Sequence, residues 1–157
     1  MTSLALVRRI KARPQAVFDA VTAADGITQW WGPDAGPVLA AEADLRVGGR
    51  YRVRFRKLDG TEHESSGEFL EIVRPGRVVM SWHWTGRSED PGESRVEITL
   101  KAVREGTELI FVHSQLHDEQ ACRSHEQGWS GALDKLEAYF AEGAAASEST
   151  RENIDSR

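Results

Sequence analysis

The stretch from residue 39 to residue 114 constrains the fold most, because its apolar side chains recur at every second position and its breaks are tight turns. Tyr51, Val53 and Phe55 alternate with Arg50, Arg52, Arg54 and Arg56, the period of a strand with one buried and one wet face. Val78, Met80, Trp82 and Trp84 share a face in residues 77–85, with Val79, Ser81 and His83 opposite. Val96, Ile98 and Leu100 do the same in 95–103, and Leu109, Phe111 and His113 in 107–114. Residues 39–46 and 62–73 complete a set of consecutive strands, with Gly67 expected to mark a bulge. The breaks are Gly48-Gly49, Asp59-Gly60, Pro75-Gly76, a polar loop over 88–93, and Glu105-Gly106. Connections this short join antiparallel neighbours.

The flanks supply the rest of the architecture. Residues 4–11 predict a strand with Leu4, Leu6, Arg8 and Ile10 on one face. Pro14 suits a helix's first turn, where its missing N–H costs nothing, and Val17, Phe18 and Val21 continue at helical spacing. A second short helix carries Ile27, Trp30 and Trp31, and Gly32-Pro33 stops it. From Asp118, a favoured N-cap, a long helix puts Cys122, Glu126, Trp129, Ala132, Leu133, Leu136 and Phe140 in one stripe. Gly128 and Gly131 each cost it about 1 kcal/mol against alanine, so a sheet backbone or a bound molecule is expected to approach closely there. Gly143 is expected to end the helix, leaving 1–143 as one domain and 144–157 as a disordered tail. The fold class is α+β: a curved antiparallel sheet wrapped around a long C-terminal helix, with two short helices after the first strand.

A chain of 157 residues is long enough for a substantial core. Its net charge of -5 disfavours a general nucleic-acid binder. A single cysteine, Cys122, excludes an intramolecular disulfide and fits a reducing compartment. No apolar run approaches a membrane span, and Met1-Thr2-Ser3-Leu4 opens no secretory signal, so a cytoplasmic location is expected.

Several segments in this order resemble a known family. They are Pro14-Gln15-Ala16-Val17-Phe18-Asp19-Ala20-Val21-Thr22, Trp30-Trp31-Gly32-Pro33, Gly48-Gly49-Arg50-Tyr51, Gly67-Glu68-Phe69-Leu70-Glu71-Ile72, Gly106-Thr107-Glu108-Leu109 and Gly128-Trp129-Ser130-Gly131-Ala132-Leu133. Together they resemble the homologues of the activator of heat-shock-protein-90 ATPase. These belong to the superfamily (SRPBCC) shared with the major birch-pollen allergen and steroidogenic-acute-regulatory lipid-transfer domains. The resemblance implies a helix-grip fold with a cavity between sheet and last helix. Members of that superfamily bind lipids, sterols, hormones or polyketides, and some are enzymes.

The inward faces then nominate a lining: Phe18, Trp30, Trp31, Tyr51, Val53, Phe55, Phe69, Met80, Trp82, Trp84, Ile98, Leu100, Phe111, His113, Trp129 and Leu133. Aromatic rings offer π-faces to a flat ligand, whereas the plain alternative is a core with no space left. His113, in register with Leu109 and Phe111, is either the group that orients a ligand or a core histidine bonded to a backbone group. Tyr51 is a second orienting candidate.

His117, Cys122 and His125 are too few and poorly placed for a zinc site, and helix-surface chemistry is the better reading of them. Cys122 has no neighbouring oxyanion hole, and neither a nucleophile elbow nor a phosphate loop is present. No metal or cofactor is expected. The arginine row reads as a solvated face balanced by Glu62, Glu64 and Glu68, or as a dock for an acidic partner. The functions in play are binding of a small apolar or aromatic molecule, partnership with the heat-shock-protein-90 chaperone, and a cavity-based cyclase or hydrolase.

Overall fold

The computed structural model describes residues 2–85 and 92–155, with side chains to 142. Most of the expected polar loop over 88–93 falls outside these residues. The order is β1 (Thr2–Ile10), α1 (Pro14–Thr22), α2 (Ala24–Ile27), β2 (Val38–Ala43), β3 (Arg50–Arg56), β4 (Glu62–Val73), β5 (Arg77–Thr85), β6 (Ser94–Val103), β7 (Gly106–Leu116) and α3 (Glu119–Asp155). The strands form one seven-stranded sheet in the order β1-β7-β6-β5-β4-β3-β2. Every pairing is antiparallel, and β1 closes the sheet against β7 with Leu6 opposite Phe111. The expected helix-grip architecture is present.

Alternation decides which face is inner. Tyr51, Val53 and Phe55 are buried while the arginines between them are exposed. Gly67 is not a bulge: β3 and β4 stay in register through the Tyr51–Gly67 pair, and the shift against β5 lies between Phe69 and Glu71. The glycine has a different physical reason. A Cβ there would sit 2.7 Å from the Tyr51 ring and 1.9 Å from the Ser81 carbonyl oxygen. Its absence lets the Tyr51 hydroxyl donate to that carbonyl at 2.5 Å.

Helix α3 lies along β1. The Asp118 carboxylate accepts from the Ala121 N–H at its start, and further along Arg8 bonds Ser130 and pairs with Asp134 and Glu137. The backbone runs through Gly143 to Asp155, past the expected stop. One helical glycine costs only about 1 kcal/mol, and the alanines that follow favour continuation. Glu126 leaves the expected stripe and is exposed, and His125 takes its place facing the sheet. At Gly131 the close neighbour is neither sheet nor ligand: a Cβ would lie 2.1 Å from the Pro33 carbonyl oxygen. Gly128 faces the Pro33 side chain. The segment after α2 is therefore pressed onto α3. Lys135 fastens it there by donating to the carbonyls of Trp31 at 2.9 Å and Asp34 at 2.6 Å.

Candidate functional site

The nominated lining residues are all buried except Trp84, which is half-buried. They divide into two ends. Val78 lies opposite Ile98 and Leu100 opposite Leu109, and these form a mainly aliphatic end of the core that also holds Val17, Phe18, Leu133 and Leu136. Phe69 and Met80 are opposite each other on β4 and β5, between the ends. The aromatic end gathers all five tryptophans of the chain. Trp31 stacks on Trp82 with ring centres 5.6 Å apart. Trp129 meets Trp31 edge-on at 5.2 Å, Trp82 at 5.1 Å and Phe111 at 4.5 Å. Trp30 touches Trp31 and anchors its own N–H on the Ala20 carbonyl. Val53 lies beneath, on the same inner face of β3 as Tyr51 and Phe55. Trp84, Phe55, His63 and His125 make a partly exposed rim, with Trp84 stacked on His125 at 5.7 Å and Phe55 on His63 at 5.6 Å.

The rings pack against one another between sheet and helix. Two open grooves, of about 540 and 380 Å³, lie at the surface. One runs along the outside of α3 past Leu6, and the other crosses the arginine face by Glu42 and Arg50. Neither is the internal cavity that the resemblance implies.

His113 is buried and satisfied, by side chains rather than by the backbone. Trp129 donates its indole N–H to Nδ1 at 3.0 Å, and Nε2 lies 2.7 Å from Ser94 Oγ. An indole only donates, so Nδ1 carries no proton and the neutral ring presents its N–H to Ser94. Burial, reinforced by His125 nearby, pushes the His113 pKa down from 6.5 to about 3. Burial likewise drives the Tyr51 phenol well above its usual range, and it lowers the Lys135 ammonium, which Asp34 partly offsets.

Sequence reasoning named His113, Tyr51 and the rings, but it passed over Ser65, Ser94, His63, Lys135 and the inward role of His125. Ser65 and Ser94 were legible from strand parity, in step with Phe69 and Val96. His125 was legible too, one helical turn before Trp129. No signal marked Lys135, whose partners are backbone carbonyls about a hundred residues away.

Elsewhere, Cys122 donates to the Ser3 carbonyl and His117 lies beside Asp118. No group of three or more metal-ligating side chains occurs among the described residues. No described helix is long and apolar enough to cross a membrane. Three arginines of the row are paired across strands: Arg52 with Glu42 and Glu64, Arg54 and Arg56 with Glu62.

The sequence pattern of the family described as "Activator of Hsp90 ATPase homolog 1-like protein" matches residues 11–141. The chain belongs to that family. An AHSA1 protein from Silicibacter pomeroyi superposes with a TM-score of 0.81 at 29% identity, covering 90% of this chain and 99% of that one. A protein from Chromobacterium violaceum gives 0.80 at 27%, covering 88% and 96%. An AHSA1-like protein from Aeromonas hydrophila shares the fold at a TM-score of 0.75 and 21% identity, covering 91% and 94%. Among curated proteins nothing matches.

Proposed function

We propose that this AHSA1-like protein binds a small, flat, apolar or aromatic molecule at the aromatic end of the sheet–helix interface. One observation carries the reading: the Trp31 indole, stacked on Trp82 and ringed by Trp30, Trp129 and Tyr51, is borne on a loop rather than on a strand or long helix. With its carbonyl held by Lys135, Trp31 opens the site by rotating its ring about its side-chain bonds. A Trp31 that swings out leaves a slot shaped for an aromatic ring, walled by Tyr51, Trp82 and Trp129. The half-buried rim at Trp84 and His125 offers further π-faces at the surface.

Binding is favoured over turnover because both His113 nitrogens are already engaged and its ring stays neutral at physiological pH. A general base needs a free lone pair near its substrate. Helix-grip relatives commonly hold ligands at the equivalent interface, which agrees with this reading.

The test is a native mass spectrum of the protein purified from its own cells, paired with equilibrium dialysis against naphthalene. A reproducible adduct of a small apolar molecule, lost on denaturation, is the expected result. A bare mass together with no uptake of naphthalene sinks the proposal.

A further inference from the structure

Buried polar groups are normally hydrogen-bonded, so an unpartnered one asks for an explanation. Among the described residues three buried side-chain atoms lack a hydrogen bond: Ser65 Oγ, Trp82 Nε1 and Arg95 Nε. Arg95 is compensated, since its Nε lies 3.1 Å from the Glu97 carboxylate in an ion pair. Ser65 and Trp82 have no such relief. Ser65 is fully buried and Trp82 is 3% exposed. Ser65 faces inward opposite Trp84, and Trp82 is the next inward residue along β5, so the two are diagonal neighbours on one face. Trp82 borders the slot that Trp31 occupies, and Ser65 lies one inward position away on the neighbouring strand.

The polar atoms around them are committed elsewhere. The Tyr51 hydroxyl bonds the Ser81 carbonyl, His113 Nδ1 accepts from Trp129, and His113 Nε2 is bonded to Ser94. Several rings surround Trp82: Trp31 on its face, with Trp84, His113, His125 and Trp129 angled against it. An indole N–H is a pure donor, and a serine hydroxyl donates or accepts. One acceptor oxygen satisfies both, whereas an amine leaves the indole unpaired. The nearest ammonium, Lys135, is spent on the carbonyls of Trp31 and Asp34. Burying an anion among these rings carries a large desolvation cost, so a neutral oxygen is preferred to a carboxylate.

We infer that the ligand is a flat aromatic molecule bearing a neutral carbonyl oxygen, which accepts hydrogen bonds from Ser65 Oγ and Trp82 Nε1. This rests on the binding site proposed above and adds the chemistry of its occupant.

The experiment compares two probes of one shape by equilibrium dialysis, 2-acetylnaphthalene and 2-isopropenylnaphthalene, in which CH₂ replaces the carbonyl oxygen. The wild-type protein is expected to hold the ketone about tenfold or more tighter, although the alkene is the more apolar probe. Ser65→Ala and Trp82→Phe should each bring the ratio towards one. Ser65→Ala removes an unpartnered hydroxyl and should fold at least as stably as wild type, which keeps the test open should Trp82→Phe fold poorly. Equal affinity for the two probes, or a ratio that Ser65→Ala leaves intact, overturns the inference while the site stands. Failure of both probes to bind removes the site and the inference together.

Discussion

Around Leu100, Leu109, Leu133 and Leu136 the sheet and α3 meet through aliphatic side chains, while around Trp31, Trp82 and Trp129 the same two elements meet through aromatic rings and an imidazole. The aliphatic end holds no unpartnered polar atom among the described residues, and its side chains come from strands and helices. At the aromatic end lie two unpartnered polar atoms and a ring carried on a loop. Apart from the half-buried rim at Trp84, both ends are buried. The difference teaches that burial alone does not separate a core from a site. What separates them is whether the packing satisfies every group it encloses and whether any wall can move.

The sharpest way to break this contrast is a matched pair of truncations. Leu133→Ala, at a position with no exposure, should cost about 2–5 kcal/mol by urea denaturation and leave naphthalene affinity unchanged. Trp31→Ala should cost a similar amount, about 3–5 kcal/mol, yet bind naphthalene at least about tenfold tighter because the slot stands open. Equal effects of the two changes on affinity would dissolve the distinction between the ends.

A smaller effect tests the imidazole. His113 titrates near 3 in the folded protein against an ordinary 6.5, so between those values the unfolded chain binds the extra proton. Its contribution to stability is thus complete above pH 6.5 and drains away as pH falls towards 3. The slope is up to about 1.4 kcal/mol per pH unit. His113→Gln should flatten that part of the stability profile, read from denaturation midpoints between pH 4 and 7. An unchanged slope would mean that the histidine is not held neutral by burial.

The smallest effect is expected on the outer face. Arg54 lies 3.9 Å from Glu62, with both side chains about half exposed. Arg54→Ala should shift stability by less than about 1 kcal/mol and leave ligand affinity alone. A larger loss of binding would bring the arginine face into the site.

Much of this was written in local pattern. The alternation of Tyr51, Val53 and Phe55 with arginines named the inner face of β3, and the tight turns dictated antiparallel neighbours, because a two-residue period and short connections have only one geometric solution. Which strand side chains face inward followed from the same parity, His113 included. Tertiary structure alone decided how those side chains meet. That Gly67 makes room for the Tyr51 hydroxyl, that Gly131 receives the Pro33 carbonyl, and that Lys135 fastens the Trp31 loop all depend on groups distant in sequence, for which a local pattern carries no signal. Periodicity tells which way a side chain points. Whether the space it points into is filled, and by which ring, is settled only when three-dimensional packing brings the elements together.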